Sequence, residues 1–181
     1  MQELRWYALK VKPQHEPVVY AALNYTLIEA FHPTCKAKRK WSDRVKIIDE
    51  PIFTGYVFAR FVFENRIPVL RIPGVVSIVT FSGYPAPIPD EELKLIQRIT
   101  DSGLAVKPWP FLKVGQTVRI ERGPLRGVEG ILVAERDMWR MVVGIELLQR
   151  AVSVAIDKDD LTVVSNSAPL RTSAKAAGEI G

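Results

Sequence analysis

The chain has 181 residues, of which 48% are hydrophobic and 25% are charged, and its formal net charge is +5. No apolar run approaches the roughly 20 residues that a membrane-spanning helix needs, and the single cysteine, Cys35, excludes an internal disulfide. We expect one globular domain or two small ones, in a reducing cytoplasm, without a signal peptide or a membrane partner.

The predicted elements of the first hundred residues alternate between strands and helices. Aromatic and β-branched residues indicate the strands, and apolar residues at helical spacing indicate the helices. In chain order they are a strand at 6–11, a helix at 14–27, an extended segment at 30–40, a strand at 52–63, a short helix at 65–72, a strand at 75–81 and a helix at 89–101. This order is typical of an antiparallel sheet backed by helices, an α+β layer. We therefore predict a first domain over residues 1–105.

A dense basic cluster lies inside this domain. Residues 36–46 hold six positive charges against Asp43 alone, a net +5 that equals the excess of the whole chain. The six are Lys36, Lys38, Arg39, Lys40, Arg44 and Lys46. We predict that they form the hairpin loop after the extended segment. Such a cluster is either a solvated loop or a contact to a phosphate backbone.

The second half is predicted to be all-β. Val118 and Ile120 alternate with charged residues, as in a half-buried strand, and Gly123-Pro124 then ends that strand with a turn. Residues 138–152 also carry apolar residues at helical spacing, but β-branched residues and Gly144 favour strand. We predict a linker at 106–112, an all-β domain at 113–164 and a disordered tail at 165–181.

Four motifs in order carry a resemblance to a known family. They are Trp6-Tyr7-Ala8-Leu9-Lys10-Val11, Pro51-Ile52-Phe53-Thr54-Gly55-Tyr56-Val57-Phe58, Pro73-Gly74-Val75, and the glycine-rich run from Gly115 to Gly130 with its Gly-Pro-Leu-x-Gly core. Together they resemble the NusG family of transcription factors over about residues 4–164. The first part is similar to the NusG N-terminal (NGN) domain. The second is similar to a KOW domain, which implies a small SH3-like β-barrel.

The resemblance implies a monomeric factor that rides on RNA polymerase and suppresses pausing or termination. In the family, the NGN domain docks through an aromatic pocket on the clamp helices of the largest polymerase subunit. The matching residues here are Phe53, Tyr56, Phe58 and Phe81. Non-template or upstream DNA would contact Lys12, Lys36, Lys38, Arg39, Lys40, Arg44, Lys46 and Arg71.

The KOW domain of the family recruits a ribosomal small-subunit protein or the termination factor Rho. The family's partner loop reads Ile-Phe-Gly-Arg, whereas here it reads Leu147-Leu148-Gln149-Arg150, which places Leu147, Leu148 and Arg150 at the partner-binding positions. Thr54 also replaces the family's usual proline. These departures favour a specialised, operon-specific paralogue, and a housekeeping factor that couples polymerase to Rho or the ribosome is the alternative.

Other classes of protein explain fewer of these residues. A ribosome-associated KOW protein that binds RNA would account for the glycine-rich run but not for the aromatic strand at 53–58. An enzyme is not expected, because His15 and His32 lack the spacing of a metal site and Cys35, although its neighbouring lysines would lower its pKa, has no identifiable base. We expect no cofactor and no metal.

Overall fold

In the computed structural model, residues 3–111 and 114–169 are described, and the chain divides into two compact units between Asp90 and Glu91. In the first unit the elements are, in chain order, β1 (Leu4–Val11), α1 (Glu16–Tyr25), β2 (Glu29–Phe31), β3 (Thr34–Lys40), β4 (Val45–Pro51), β5 (Tyr56–Val62), α2 (Arg66–Leu70), β6 (Val75–Ile78), β7 (Thr80–Phe81) and β8 (Tyr84–Pro85). Among these described residues no helix is long and apolar enough to cross a membrane.

The central sheet of the first unit is antiparallel, with strand order β2-β5-β1-β6. Side chains alternate between its two faces, so Val57, Ala59 and Phe61 of β5 point to one side. There they join a buried core with Val19 and Leu23 of α1. The expected sheet with helices packed on it is confirmed.

Strands β3 and β4 form a separate two-stranded ribbon. Its pairing runs from Thr34 opposite Pro51 to Lys40 opposite Val45. The prediction of a basic hairpin loop was wrong, since only Arg44 lies in the turn and the other five cations lie on the strands. The β-branched residues of β4 and a two-residue turn at Ser42-Asp43 extend the pairing through the basic segment.

Over its described residues, the second unit is a six-stranded antiparallel sheet with one α-helix. After α3 (Asp90–Thr100) come β9 (Val106–Pro110), β10 (Val114–Ile120), β11 (Glu129–Glu135), β12 (Met138–Ile145), β13 (Arg150–Ile156) and β14 (Leu161–Pro169). The sheet order is β14-β10-β11-β12-β13-β9. The α+β class is confirmed, and so is strand rather than helix over the ambiguous residues 138–152.

The boundaries of this unit differ from those predicted. Residues 106–110 form β9, which pairs with β13, instead of a linker. Helix α3 falls almost entirely in the second unit, where the Arg98 guanidinium donates to the carbonyls of Pro124 and Arg126 at 3.3 and 2.6 Å. Strand β14 continues to Pro169 because its end pairs with β10 near Val114. Residues 112–113 and 170–181, which complete the predicted linker and tail, lie outside the described residues.

The glycine-rich run is the turn that its sequence predicts. Gly123 and Gly127 have φ of +85° and +84°, the left-handed region that glycine adopts without strain. Gly130 is needed for a different reason, since a Cβ there would lie 2.6 Å from Met141 Cγ and 2.7 Å from the carbonyl oxygen of Val142. The motif therefore combines a tight turn with close packing of β11 on β12.

Candidate docking and nucleic-acid surfaces

Two of the four predicted docking aromatics are buried. The rings of Phe53 and Phe58 meet edge to face with their centroids 5.6 Å apart, and Phe31 lies 6.1 Å from Phe58. Phe53 is 1% exposed and Phe58 is 0% exposed. They form a layer on the face of β5 that is opposite α1, so neither ring offers surface to a partner in this structure.

A buried carboxylate holds the turn before β5. The N–H of Gly55 donates to the Glu16 carboxylate at 2.8 Å, and Glu16 at the start of α1 is buried. Gly55 itself has φ of +85°. Glu16 was not predicted as a site residue, because an acidic residue in the first turn of a helix has an ordinary explanation as a helix-dipole partner. Its structural role is to fix the turn between Phe53 and Tyr56.

The other two docking aromatics are accessible. Tyr56 is half-buried and Phe81 is 71% exposed. Strand β7 pairs with β8 so that Phe81 lies opposite Tyr84, which is 76% exposed. Ser82 and Gly83, both with positive φ, make the turn between them. Tyr84 was missed by the sequence reasoning, although a Ser-Gly pair between two aromatics is a hairpin signal that could have found it.

The six cations of the ribbon differ in their partners. Lys36 forms an ion pair with Asp49 at 2.7 Å, and Arg39 forms one with Glu50. Within the described part of the chain, Lys38, Lys40, Arg44 and Lys46 are exposed and form no ion pair. These four are the charges that remain available to an anionic partner.

Cys35 at the base of the ribbon does not carry an activated thiol. Burial raises its pKa, and the nearby carboxylates of Glu50 and Asp49 raise it further. The expectation that neighbouring lysines would lower this pKa was wrong, because adjacent strand residues point to opposite faces and the cross-strand partners of Cys35 and Lys36 are acidic.

Lys12 and Arg71 flank the Pro73-Gly74 turn, on elements other than the ribbon. Both side chains are exposed, and the N–H of Lys12 donates to the carbonyl of Gly74 at 2.8 Å. Gly74 has φ of +101°, and a Cβ there would lie 3.0 Å from Val19 Cγ2. The motif thus fixes the loop on α1 and leaves the two cations at the surface.

The predicted partner loop of the KOW domain lies between β12 and β13. Leu147 is half-buried, Leu148 is buried and Arg150 is exposed. Gln149 adopts φ of +50°, and its side-chain amide donates to the carbonyl of Glu146 at 2.7 Å. A groove of about 630 Å³ borders the loop, lined by Pro108, Trp109, Pro110, Phe111, Gln149 and Arg150. Trp109 and Phe111 were not predicted as site residues, because the prolines around them indicated a linker.

Comparison with known proteins decides the family. The family model NusG, described as "Transcription termination factor nusG", matches residues 4–97, more than half of the chain. The chain belongs to the NusG family of transcription factors. Phe53, Tyr56, Phe58, Phe81 and the whole β3–β4 ribbon lie inside the part that matches NusG, whereas Leu147, Leu148 and Arg150 lie outside it.

Individual NusG proteins are more distant. A "Transcription termination/antitermination protein NusG" of Vibrio vulnificus (strain CMCP6) is 26% identical over 114 residues, which cover 60% of this chain and 63% of that protein. The match therefore spans less than two thirds of the length of that relative. The solved structure "Domain interaction in Thermotoga maritima NusG" is similar with a TM-score of 0.52 at 23% identity, over 90% of this chain and 98% of that one. This likeness supports the NusG fold.

Proposed function

We propose that this chain is an elongation and antitermination factor that binds RNA polymerase through its first unit and suppresses pausing or termination. The observation that carries the proposal is the β7–β8 hairpin, which exposes Phe81 and Tyr84 side by side within the part that matches NusG. Aromatic side chains supply large, rigid contact area and dominate protein interfaces. The proposed partner is the clamp-helix region of the largest polymerase subunit.

The four predicted docking aromatics have two different roles. Tyr56 and Phe81, together with Tyr84, contact the polymerase. Phe53 and Phe58 support Tyr56 from beneath, because they fill the buried layer next to it on β5. The factor acts by binding alone, as a cytoplasmic monomer without catalysis and without a cofactor.

DNA is the second proposed partner. The available cations of the ribbon, with Lys12 and Arg71, would contact the backbone of non-template or upstream DNA. Such contacts release counterions, so they weaken as the salt concentration rises.

The KOW domain would recruit a further partner through Leu147, Arg150 and the neighbouring groove. Leu148 replaces the phenylalanine of the family's partner loop and is buried, which supports a specialised paralogue over a housekeeping factor that contacts Rho or the ribosomal small-subunit protein.

A binding assay with full-length protein and core RNA polymerase, without nucleic acid, tests the main proposal. Phe81→Ala with Tyr84→Ala should weaken binding roughly 30-fold or more, as expected when interface hot spots are truncated. Tyr25→Ala is the matched control, since Tyr25 is an 89% exposed aromatic of the same unit outside the proposed surface.

Retained binding by the double variant would reject the β7–β8 hairpin as the docking surface. Failure of the native chain to bind polymerase, with tight binding to free RNA instead, would favour the ribosome-associated alternative.

A further inference from the structure

The tip of the β3–β4 ribbon carries an exposed indole that neither the core nor the proposed polymerase surface uses. The side chain of Trp41 is 56% exposed, and the backbone N–H of Trp41 donates to the carbonyl of Arg44 at 2.8 Å, which closes the turn. A two-stranded ribbon has no second layer in which to bury such a side chain. The indole is therefore displayed at the end of the ribbon.

The register of the ribbon sorts its cations onto two faces. Arg39 lies opposite Lys46 and Lys40 lies opposite Val45, so Trp41, one residue further, lies opposite Arg44. Directly opposed residues of an antiparallel pair point to the same face. One face, here named the Trp41 face, carries Trp41, Arg44, Arg39 and Lys46. The other, the Lys38 face, carries Lys36, Lys38, Lys40, Val45 and Ile47.

Each face carries the same number of available charges. On the Trp41 face, Arg39 is held by Glu50, which leaves Arg44 and Lys46. On the Lys38 face, Lys36 is held by Asp49, which leaves Lys38 and Lys40. The faces differ in that the exposed apolar residues beside Lys38 and Lys40 are aliphatic, whereas an aromatic ring lies beside Arg44 and Lys46.

We propose that the Trp41 face is a binding site for single-stranded DNA, in which the indole stacks on an unpaired base and Arg44 and Lys46 bind the adjacent phosphates. Base–aromatic stacking combined with cations along the backbone is the chemistry by which proteins hold single strands. The inference rests on the proposed function, in which the ribbon contacts DNA, and adds the strandedness of the DNA and the side chain that senses it.

Single-stranded DNA fits this face better than duplex DNA or RNA. In a duplex the flat surface of each base is covered by its neighbours, so an indole reaches it only after unstacking that costs a few kcal/mol. The ribose 2′-hydroxyl is what allows a protein to favour RNA. On this face the carboxylate of Glu50, an acceptor that could bind that hydroxyl, already accepts from Arg39, which weakens it as a contact to RNA.

The test uses the full-length protein and fluorescence anisotropy with a labelled single-stranded DNA of about 12 nucleotides, within the range of single-strand site sizes. The same sequence is measured as duplex DNA and as RNA, between about 50 and 200 mM salt. Trp41→Ala should weaken single-strand binding roughly tenfold at every salt concentration, and Trp41→Phe should bind almost as well as the native chain.

The charges are tested with a pair of matched variants. Arg44→Gln with Lys46→Gln should reduce the slope of log K against log salt by about 1.4, since each phosphate contact on a single strand contributes about 0.7. Lys38→Gln with Lys40→Gln removes the same charge from the other face. Because these two lysines are also proposed contacts to the DNA backbone, but not to a strand stacked on Trp41, this variant should lower the slope for the short single strand clearly less than Arg44→Gln with Lys46→Gln does. Equal loss of slope in both variants would refute the assignment to one face.

Other results would also overturn the inference. The first is that Trp41→Ala binds the single strand as tightly as the native chain does. The second is that duplex DNA binds as tightly as the single strand. The third is that RNA binds more tightly than DNA of the same sequence. All variants are also tested for binding to core polymerase without nucleic acid. If the native chain binds polymerase but not single-stranded DNA, this inference alone is refuted. If the native chain binds single-stranded DNA but not polymerase, the proposed function alone is refuted.

Discussion

Phe58 of β5 has no exposed surface, and its ring is held by Phe53 and Phe31. Truncation of a fully buried phenylalanine costs about 3–5 kcal/mol, because it removes apolar contact and leaves a cavity. Phe58→Ala should therefore lower the free energy of unfolding by that amount in urea denaturation. Tyr56→Ala, at a half-buried neighbour, should cost clearly less. Similar losses in the two variants would show that Phe58 does not fill a core.

This difference matters for any binding experiment on the aromatic strand. A variant that combines Tyr56→Ala with Phe58→Ala would lose polymerase binding through unfolding as readily as through a lost contact. Phe81 and Tyr84 are better probes, because both are exposed on either side of a two-residue turn and their removal creates no cavity. At the scale of single residues, the exposed fraction of the side chain distinguishes the aromatics that can contact a partner from those that fill the core.

At the scale of elements, α3 carries a buried carboxyl group whose ionisation is linked to folding. Burial raises the pKa of Glu92 to about 7, with a further contribution from Glu146. In the unfolded chain the pKa is near its ordinary value, so between about pH 4.5 and 7 the folded state binds more protons than the unfolded state. The free energy of unfolding should therefore fall as the pH rises through this window, by on the order of 2 kcal/mol.

Two neighbouring glutamates make this prediction specific. Glu92→Gln should abolish the decline and be more stable than the native protein above about pH 7, as measured by urea denaturation across the window. Glu91→Gln should keep the decline, because Glu91 is exposed and pairs with Lys94 at 3.0 Å on the helix surface. A decline that persists in Glu92→Gln would mean that another group titrates.

The sequence predicted the elements whose local pattern had one interpretation. The aromatic and apolar run Trp6–Val11 forms part of β1, and the positive φ at Gly123 matches the turn that Gly-Pro indicates. Alternation could not decide which face of β5 is surface, because Val57 and Phe58 are both apolar and both are buried. The close packing that requires Gly130 depends on Met141 and Val142 of the next strand, which no local pattern contains.

Prolines explain the largest error in the second unit. Pro108 and Pro110 indicated a linker, yet both lie in β9, opposite Val152 and Arg150. Because β9 is at the edge of the sheet, a missing N–H on its outer side breaks no ladder. An edge strand with prolines also resists pairing with other chains, so the groove beside Arg150 suits a side-chain contact better than an added strand.

At the scale of the whole molecule, the proposed activities separate between the units. The proposed polymerase contact is made by Phe81 and Tyr84 in the part that matches NusG, whereas Arg150 lies in the second unit outside that match. Arg150→Ala should therefore leave polymerase binding and pause suppression unchanged in a transcription assay with purified polymerase. Phe81→Ala with Tyr84→Ala should strongly weaken both activities.

Rho added to the same assay distinguishes a specialised paralogue from a housekeeping factor. Leu148 is buried at the position where the family's partner loop carries phenylalanine, so this loop itself offers Rho no aromatic ring. We expect the native chain to suppress pausing without stimulating Rho-dependent termination, and Arg150→Ala to behave in the same way. Stimulation of Rho by the native chain that Arg150→Ala removes would contradict this expectation, because only a factor whose second unit contacts Rho would respond to that substitution.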